Sequence, residues 1–271
     1  MGTKNKKVLY LDIESSRLWV TMPVYDLKFT AGYISPKYVT KDWYITAAAW
    51  GWLDVQNKKI KNIKAVSGLD FPLAYAKDHR NDQGVVKALL DIIGQADLIV
   101  GHNLDSFDLA KINYRAAFHK LPIVDLPPTV DTLKAARRYM KATSNSLYYL
   151  TKEFGLETKI QLPPGVMHEA DEGCAKSLKK LIAYNRGDIK AGADLYFEIL
   201  PRIKNHPNLN IFNTEKRLLG KKTDIICGNC GSSDITKAGI RPTLTGIKQK
   251  YSCKCCGSIT LATITKSIKA T

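Results

Sequence analysis

Several absences narrow this sequence before any motif does. No apolar run approaches the roughly 20 residues that span a bilayer, so no membrane-crossing helix is expected. The opening MGTKNKK runs straight into an apolar segment and an acidic pair, which is not the pattern of a secretory leader. Lys6 stands where the myristoylation pattern that begins at Gly2 needs Ser or Thr. A cytoplasmic protein with no membrane partner is therefore expected. Internal repeats and low-complexity tracts are also lacking. Acidic residues are scarce, 25 Asp and Glu against 41 Lys and Arg, and the net charge of +16 points to a polyanionic partner, nucleic acid first. Cysteine is sparse as well, with six in 271 residues. In a reducing compartment so few are not a disulfide framework.

What is present falls into two regions. Apolar runs predict strands over Lys7–Ile13, Tyr44–Leu53, Lys59–Val66, Ala96–Val100 and Thr129–Leu133. Helical spacing predicts helices over Gly84–Ile93, Phe107–His119, Asn145–Phe154 and, longest of all, Ser177–Ile203. Strands first, then strands alternating with helices, imply an α/β sheet covered by helices. After residue 205 the character changes: His206–Asn213 holds Pro207 and three asparagines, and Lys216–Lys222 is a basic run. This gives an expected core domain over 1–212, a basic linker over 213–223 and a small domain over 224–271. Residues 216–271 carry eleven Lys and Arg against two Asp and Glu, more than half of the excess charge.

Three placements of carboxylates stand out. Asp12 and Glu14 form the only D-x-E in the chain, and on a strand they point to one face. Two such acids repel and are costly to desolvate unless a hard divalent cation, Mg²⁺ or Mn²⁺, lies between them. Val100–Asp108 reads VGHNLDSFD, a strand end, a turn and a helix start with Asp108 in the first turn. Ordinary helix capping suits Asp105 better than Asp108. Tyr184 and Asp188 stack on one face of the long helix, between Leu181 and Leu195. Tyr38 and Asp42 have the same spacing in a segment without helical pattern, so that pair alone decides little. The weight lies in the order of the three placements along the chain.

In that order LDIES, HNLDSFD and YNRGD resemble the three motifs of the DEDD (DnaQ-like) 3′→5′ exonuclease superfamily, in its tyrosine subgroup. VDTLKAARRY, SNSLYYL and ILPRIKNHPN are similar to phage-type stand-alone exonucleases that end in a zinc ribbon, which would place the protein in a host cytoplasm. The resemblance implies a ribonuclease H-like mixed sheet flanked by helices. It implies Asp12, Glu14, Asp108 and Asp188 as ligands of two Mg²⁺ or Mn²⁺ ions that clamp an in-line phosphoryl displacement at the 3′ end of single-stranded nucleic acid, DNA favoured. Tyr184 would orient the attacking water, since a free phenol titrates near pH 10 and is a poor base at neutral pH. His102 and Asn103, beside the second motif, are candidate substrate contacts, although a capping or core role suits His102 better.

Cys227-Gly-Asn-Cys230-Gly and Cys253-Lys-Cys-Cys256-Gly are two CxxCG knuckles. Their spacing fits a tetrahedral structural Zn²⁺ held by Cys227, Cys230, Cys253 and Cys256, and a domain of about 40 residues needs such a staple. Cys255, inside the second knuckle, can exchange with Cys253 or Cys256 as a ligand, and the lone Cys174 reads as a small apolar residue. Lys237, Arg241, Lys248, Lys250 and Lys254, with Tyr251 among them, suit phosphate contact and base stacking. A replication-protein partner is the competing use of the ribbon. The alternative functions are a nucleic-acid-binding protein weak in catalysis and a replication or transcription adaptor acting through its ribbon.

Overall fold

The computed structural model describes residues 6–24, 33–122, 124–156, 161–207, 225–243 and 246–263. The linker expected over 213–223 lies outside these residues. The core is one five-stranded mixed sheet. Its strands are β1 (Val8–Ser15), β4 (Ile45–Asp54), β5 (Lys59–Ser67), β6 (Leu98–Gly101) and β7 (Thr129–Asp131), in the order β5-β4-β1-β6-β7. β1 pairs antiparallel with β4 and parallel with β6, so it is the centre of the sheet. A short ribbon of β2 (Trp19–Val20) and β3 (Val39–Lys41) stands apart.

The central strand explains how the site is positioned. Leu9, Leu11 and Ile13 face one side of the sheet and join the cluster with Val85, Leu89 and Ile93 of α2 (Gln83–Ile93) and Leu109 and Ile112 of α3 (Asp108–Phe118). Alternation sends Val8, Tyr10, Asp12 and Glu14 to the opposite side. Val8 and Tyr10 pack there with Ile189 and Ala193 of α7 (Ala175–Ile199). That face therefore changes from an apolar floor to two acids within four residues. Close approach of α7 requires small residues. Ala47 and Ala49 of β4, paired with Glu14 and Asp12 on that face, are fully buried, and a side chain on Gly192 would collide with the Tyr10 hydroxyl.

The remaining helices are α1 (Pro72–Lys77), α4 (Thr132–Tyr139), α5 (Leu147–Glu153) and α6 (Val166–Asp171). Two sequence expectations need correcting. The strand expected over Thr129–Leu133 stops at Asp131, whose carboxylate accepts the Leu133 and Lys134 amides and so begins α4. Asp105 does not cap α3: Phe107 holds the N-cap position, and Asp105 instead pairs with Lys134 at 2.8 Å. α1 and α6 had no clear periodicity, being only six residues each. Tyr38 ends a 3-10 turn and Asp42 follows β3, so the two do not share an α-helix.

A second sheet, β8 (Ile235–Thr243), β9 (Gly246–Cys253) and β10 (Ile259–Thr263), is antiparallel with β9 central. It packs on the end of α7. Its four knuckle cysteines belong to the same buried cluster as Tyr196, Leu200 and Ile203. The Tyr196 hydroxyl meets His206 Nε2 at 2.8 Å. His206 is nearly enclosed, and burial lowers its pKa to about 4, so the ring is neutral near pH 7. No helix among the described residues is long and apolar enough to cross a membrane.

Candidate active site and metal centre

β1 and α7 bring Asp12, Glu14 and Asp188 together. One carboxylate oxygen from each lies within 4.8 Å of the others. Asp188 is buried, while Asp12 and Glu14 are partly exposed. Three anions at this separation repel strongly where water is thin. The donor set, hard oxygens from two rigid elements at a strand edge, fits Mg²⁺ or Mn²⁺.

Asp108 stands outside that group of three. It is the first residue of α3, 2% exposed, and its Oδ1 accepts the Ile13 amide at 2.9 Å. Burial raises its pKa to about 7, with the charges of Glu14 and Asp131 adding to the rise against two backbone hydrogen bonds. Beneath the acids, the Tyr10 hydroxyl is pushed well above its usual value, first by burial and then by Asp12, Asp108 and Asp188. Negative charge is thus concentrated at this end of the sheet, and a bound cation would relieve the repulsion. Tyr184 lies one helical turn before Asp188 on the same face of α7, with Leu181 and Leu195 buried to either side as expected.

Two residues that sequence reasoning passed over organise the site. Asn185 is fully buried, and its Nδ2 donates to Asp12 Oδ2 at 2.5 Å, fixing one carboxylate from the helix that carries another. An asparagine three residues before Asp188 on a buried face was the available signal. Asp131 is the second. Besides capping α4, its two oxygens accept the amides of Asn103 at 3.0 Å and Asp105 at 3.3 Å, so it pins the loop that leads to Asp108. Asn103 adopts the left-handed conformation at φ 65°, and His102 Nδ1 contacts the Thr132 hydroxyl at 2.9 Å. Thr132 in turn donates to the Gly101 carbonyl at 3.1 Å. These contacts give His102 and Asn103 structural roles in the turn. Asn185→Ala is expected to weaken Mn²⁺ binding about 10- to 100-fold while the fold is kept, as loss of a residue that orients a ligand does elsewhere. Calorimetric titration of Mn²⁺ measures it, and an unchanged affinity would refute the role.

The cysteine site is built from two near-identical turns. Cys227 N donates to Ser232 O at 2.8 Å and Cys253 N to Ser258 O at 3.0 Å. Gly231 and Gly257, at φ 74° and 73°, donate back to the Cys227 and Cys253 carbonyls. Each knuckle needs its glycine because the backbone there is left-handed. Cys227 and Cys256 are 3.5 Å apart at sulfur, as are Cys230 and Cys253. Those separations are far from a disulfide and near the roughly 3.8 Å edge of a tetrahedron with 2.3 Å zinc–sulfur arms. The four buried thiols fit Zn²⁺. Hydrogen bonds from Cys227 and Cys230 hold the Cys256 thiol well below its ordinary pKa, so one thiolate is already favoured. Cys255 is excluded from the set, since its sulfur turns away to the Gln56 carbonyl of the core at 2.9 Å. Cys174 is exposed at the N-cap of α7, not buried as an apolar residue, and a hydrogen bond from the Ser177 amide lowers its pKa.

The ribbon does not gather its basic residues onto one surface. Directly paired residues share a face and neighbours along a strand alternate. Arg241 pairs with Lys248, and Lys250 lies two residues on, so these three share a face. Lys237 pairs with Tyr251 on the other face. Lys254 pairs with Asp234 at 3.5 Å.

The pattern of the RNase_H superfamily matches residues 49–200, more than half of the chain. The chain belongs to the RNase_H superfamily. The superfamily span includes Asp108, Asn185, Tyr184 and Asp188, while Asp12 and Glu14 precede it and the four knuckle cysteines follow it. No curated relative matches the sequence. Among solved structures the chain is similar to the family B DNA polymerase from the hyperthermophilic archaeon Pyrobaculum calidifontis, at 17% identity and a TM-score of 0.50. The similarity covers 73% of this chain and 25% of the polymerase, so the chain spans about a quarter of its length, and the likeness is one of fold.

Proposed function

We propose that this member of the RNase_H superfamily is a metal-dependent 3′→5′ exonuclease acting on single-stranded nucleic acid, with DNA as the first substrate to test. The observation that carries this is the convergence of Asp12, Glu14 and Asp188 within 4.8 Å, from a strand and a helix far apart in sequence. Superfamily membership supports a nuclease, and the order of the three motifs, with Tyr184 in the third, supports the direction.

In this reading Asp12, Glu14 and Asp188 would hold one divalent ion, and Asp12 with Asp108 would hold a second. Bound Mg²⁺ or Mn²⁺ would supply charge neutralisation and Lewis-acid polarisation of the phosphodiester. The chain's own residues do the rest. Asn185 keeps Asp12 in one rotamer, and the Ile13 amide keeps Asp108 aimed from the start of α3. The Tyr184 hydroxyl orients the attacking water by hydrogen bonding. Residues 1–212 would form the nuclease domain, 213–223 a basic linker, and 224–271 a ribbon stapled by one structural Zn²⁺. The full set of acids favours an active enzyme over a binding protein that has lost catalysis.

The test is an assay of the purified chain with Mg²⁺ or Mn²⁺ on 3′- and 5′-labelled single strands, as DNA and as RNA. Mononucleotides released from a 3′ label, with a ladder shortening on the 5′-labelled strand, are the expected products. Shortening from the 5′ end, or internal cuts alone, would sink the proposed direction.

A further inference from the structure

Away from the carboxylates, α3 carries a regular outward stripe. Phe107, Lys111, Tyr114 and Phe118 recur at three- and four-residue steps, which places them on one helical face. The three aromatics are exposed by 36%, 49% and 61%. Lys111 ties the stripe to the acids: its Nζ donates to Ser15 Oγ, next to Glu14, at 2.6 Å. The same ammonium lies 4.4 Å from the Phe107 ring centre and 4.3 Å from that of Trp43. Trp43 then meets Tyr114, with 5.3 Å between ring centroids.

This line of contacts ends in a pocket of about 360 Å³, walled by Trp43, Tyr44 and Phe118 and edged by Arg80, Asn81 and Gln83. Its floor is rigid. The buried Asp82 takes Arg115 Nη2 at 2.6 Å, His119 Nε2 at 2.5 Å and the Ile45 amide at 2.8 Å. The acids around the pocket are already engaged: Asp78 accepts the Arg80 amide, and Asp42 accepts that of Trp43. The Arg80 guanidinium is engaged as well: Nη2 donates to the Asp42 carbonyl, and the group lies 4.7 Å from the Tyr44 ring centroid. Aromatic walls, amide edges and balanced charge suit a flat, uncharged ring. A lone phosphate would meet Arg80 only beside Asp42 and Asp78.

We propose that this pocket receives an unpaired nucleobase of the strand whose end lies at the carboxylates, with Lys111 beside the backbone phosphates in between. The inference rests on the nuclease reading and adds to it a binding place set back from the cleaved bond. The occupant follows from continuity with the acid site and from the net charge of +16. α3 spans roughly 16 Å at 1.5 Å per residue. At about 3.4 Å per stacked nucleotide that is four or five nucleotides.

The test uses the full chain carrying Asp188→Asn, which is expected to bind without turnover. Labelled oligothymidylates of about three and about twelve nucleotides, and an oligouridylate of the longer length, report binding by anisotropy. Phe118→Ala and Trp43→Leu are expected to weaken the longer strands about tenfold or more, the scale of one lost base–aromatic stack, and to leave the short one within about twofold. Equal loss on both lengths, or no loss on the longer, overturns the proposal. So does competition by free thymidine monophosphate that is abolished by Phe118→Ala, because the pocket would then serve a free nucleotide. A photoreactive base stepped along the strand gives a second readout that needs no substitution: cross-links to Trp43 or Phe118 should peak several nucleotides from the 3′ end, and cross-links from the terminal base alone would contradict it. Hydrolysis of a chromogenic thymidine phosphodiester, too small to reach the pocket, separates the two readings. If the wild-type chain fails on it, the nuclease reading falls. If it succeeds and the length effect is missing, only the pocket assignment falls.

Discussion

Asp188→Asn should lower hydrolysis of a 3′-labelled strand by about 10³-fold while leaving the protein folded. The size follows from the loss of roughly 4 kcal/mol of charge stabilisation, at 1.36 kcal/mol per tenfold. Asparagine has nearly the shape of aspartate, and Asp188 packs in α7 between Ile189 and the buried Asn185, so shape is kept and only charge is lost. Two thermal measurements sharpen this. Mn²⁺ at a hundredfold excess over its Kd should stabilise the wild-type chain by about 2.7 kcal/mol, a rise of several degrees in Tm at about 2–4 °C per kcal/mol. The variant should lose that rise. Without metal it should be at least as stable as the wild type, because one of three mutually repelling anions within 4.8 Å has gone. A variant that keeps its activity, or that melts well below the metal-free wild type, would show that Asp188 is an ordinary buried acid.

Removal of zinc should do more than unravel the ribbon. Chelation, or Cys227→Ser, is expected to lower the main melting transition by roughly 10 °C or more. Structural zinc in small domains contributes about 10–16 kcal/mol of apparent binding energy, so residues 225–263 would unfold without it. Their loss uncovers Tyr196, Leu200 and Ile203, which are nearly or fully buried. Each such side chain is worth about 1.5–3 kcal/mol when covered. Tyr196 would also lose its contact with the nearly enclosed His206. Calorimetry with limited proteolysis checks this. A ribbon cut away by protease with no change in the core transition would show that the two parts are merely tethered.

The main strands and helices were legible because their patterns are long. β1 and β4 read as continuous apolar runs because both faces of a central strand are covered. The helical spacing of α7 survived over 25 residues. The four acids and Tyr184 were singled out by their order along the chain, and the structure brings three of the acids, Asp12, Glu14 and Asp188, together. Asp131 and Asn185 went unnoticed for a physical reason: their work is hydrogen bonding across sequence gaps, to the amides of Asn103 and Asp105 and to Asp12. Neither contact leaves a periodic trace. Asp105 illustrates the opposite error. It has the residue type and place of a cap, but the loop already has Asp131 as its anchor, and Asp105 turns to Lys134. Composition likewise says nothing of which side of a sheet a lysine takes: Lys248 and Lys250 share a face with Arg241, while Lys237 takes the other.

One uninterrupted helix carries Asp188 at the acid cluster and Tyr196 at the cysteine cluster, eight positions apart. An α-helix turns about 100° and advances about 1.5 Å with each residue. A single insertion or deletion between them would therefore swing one centre more than a quarter of a turn out of register with the other. Length variation is free to accumulate in loops, but this stretch of α7 works as a fixed gauge block, and the two centres can diverge among homologues only by substitution.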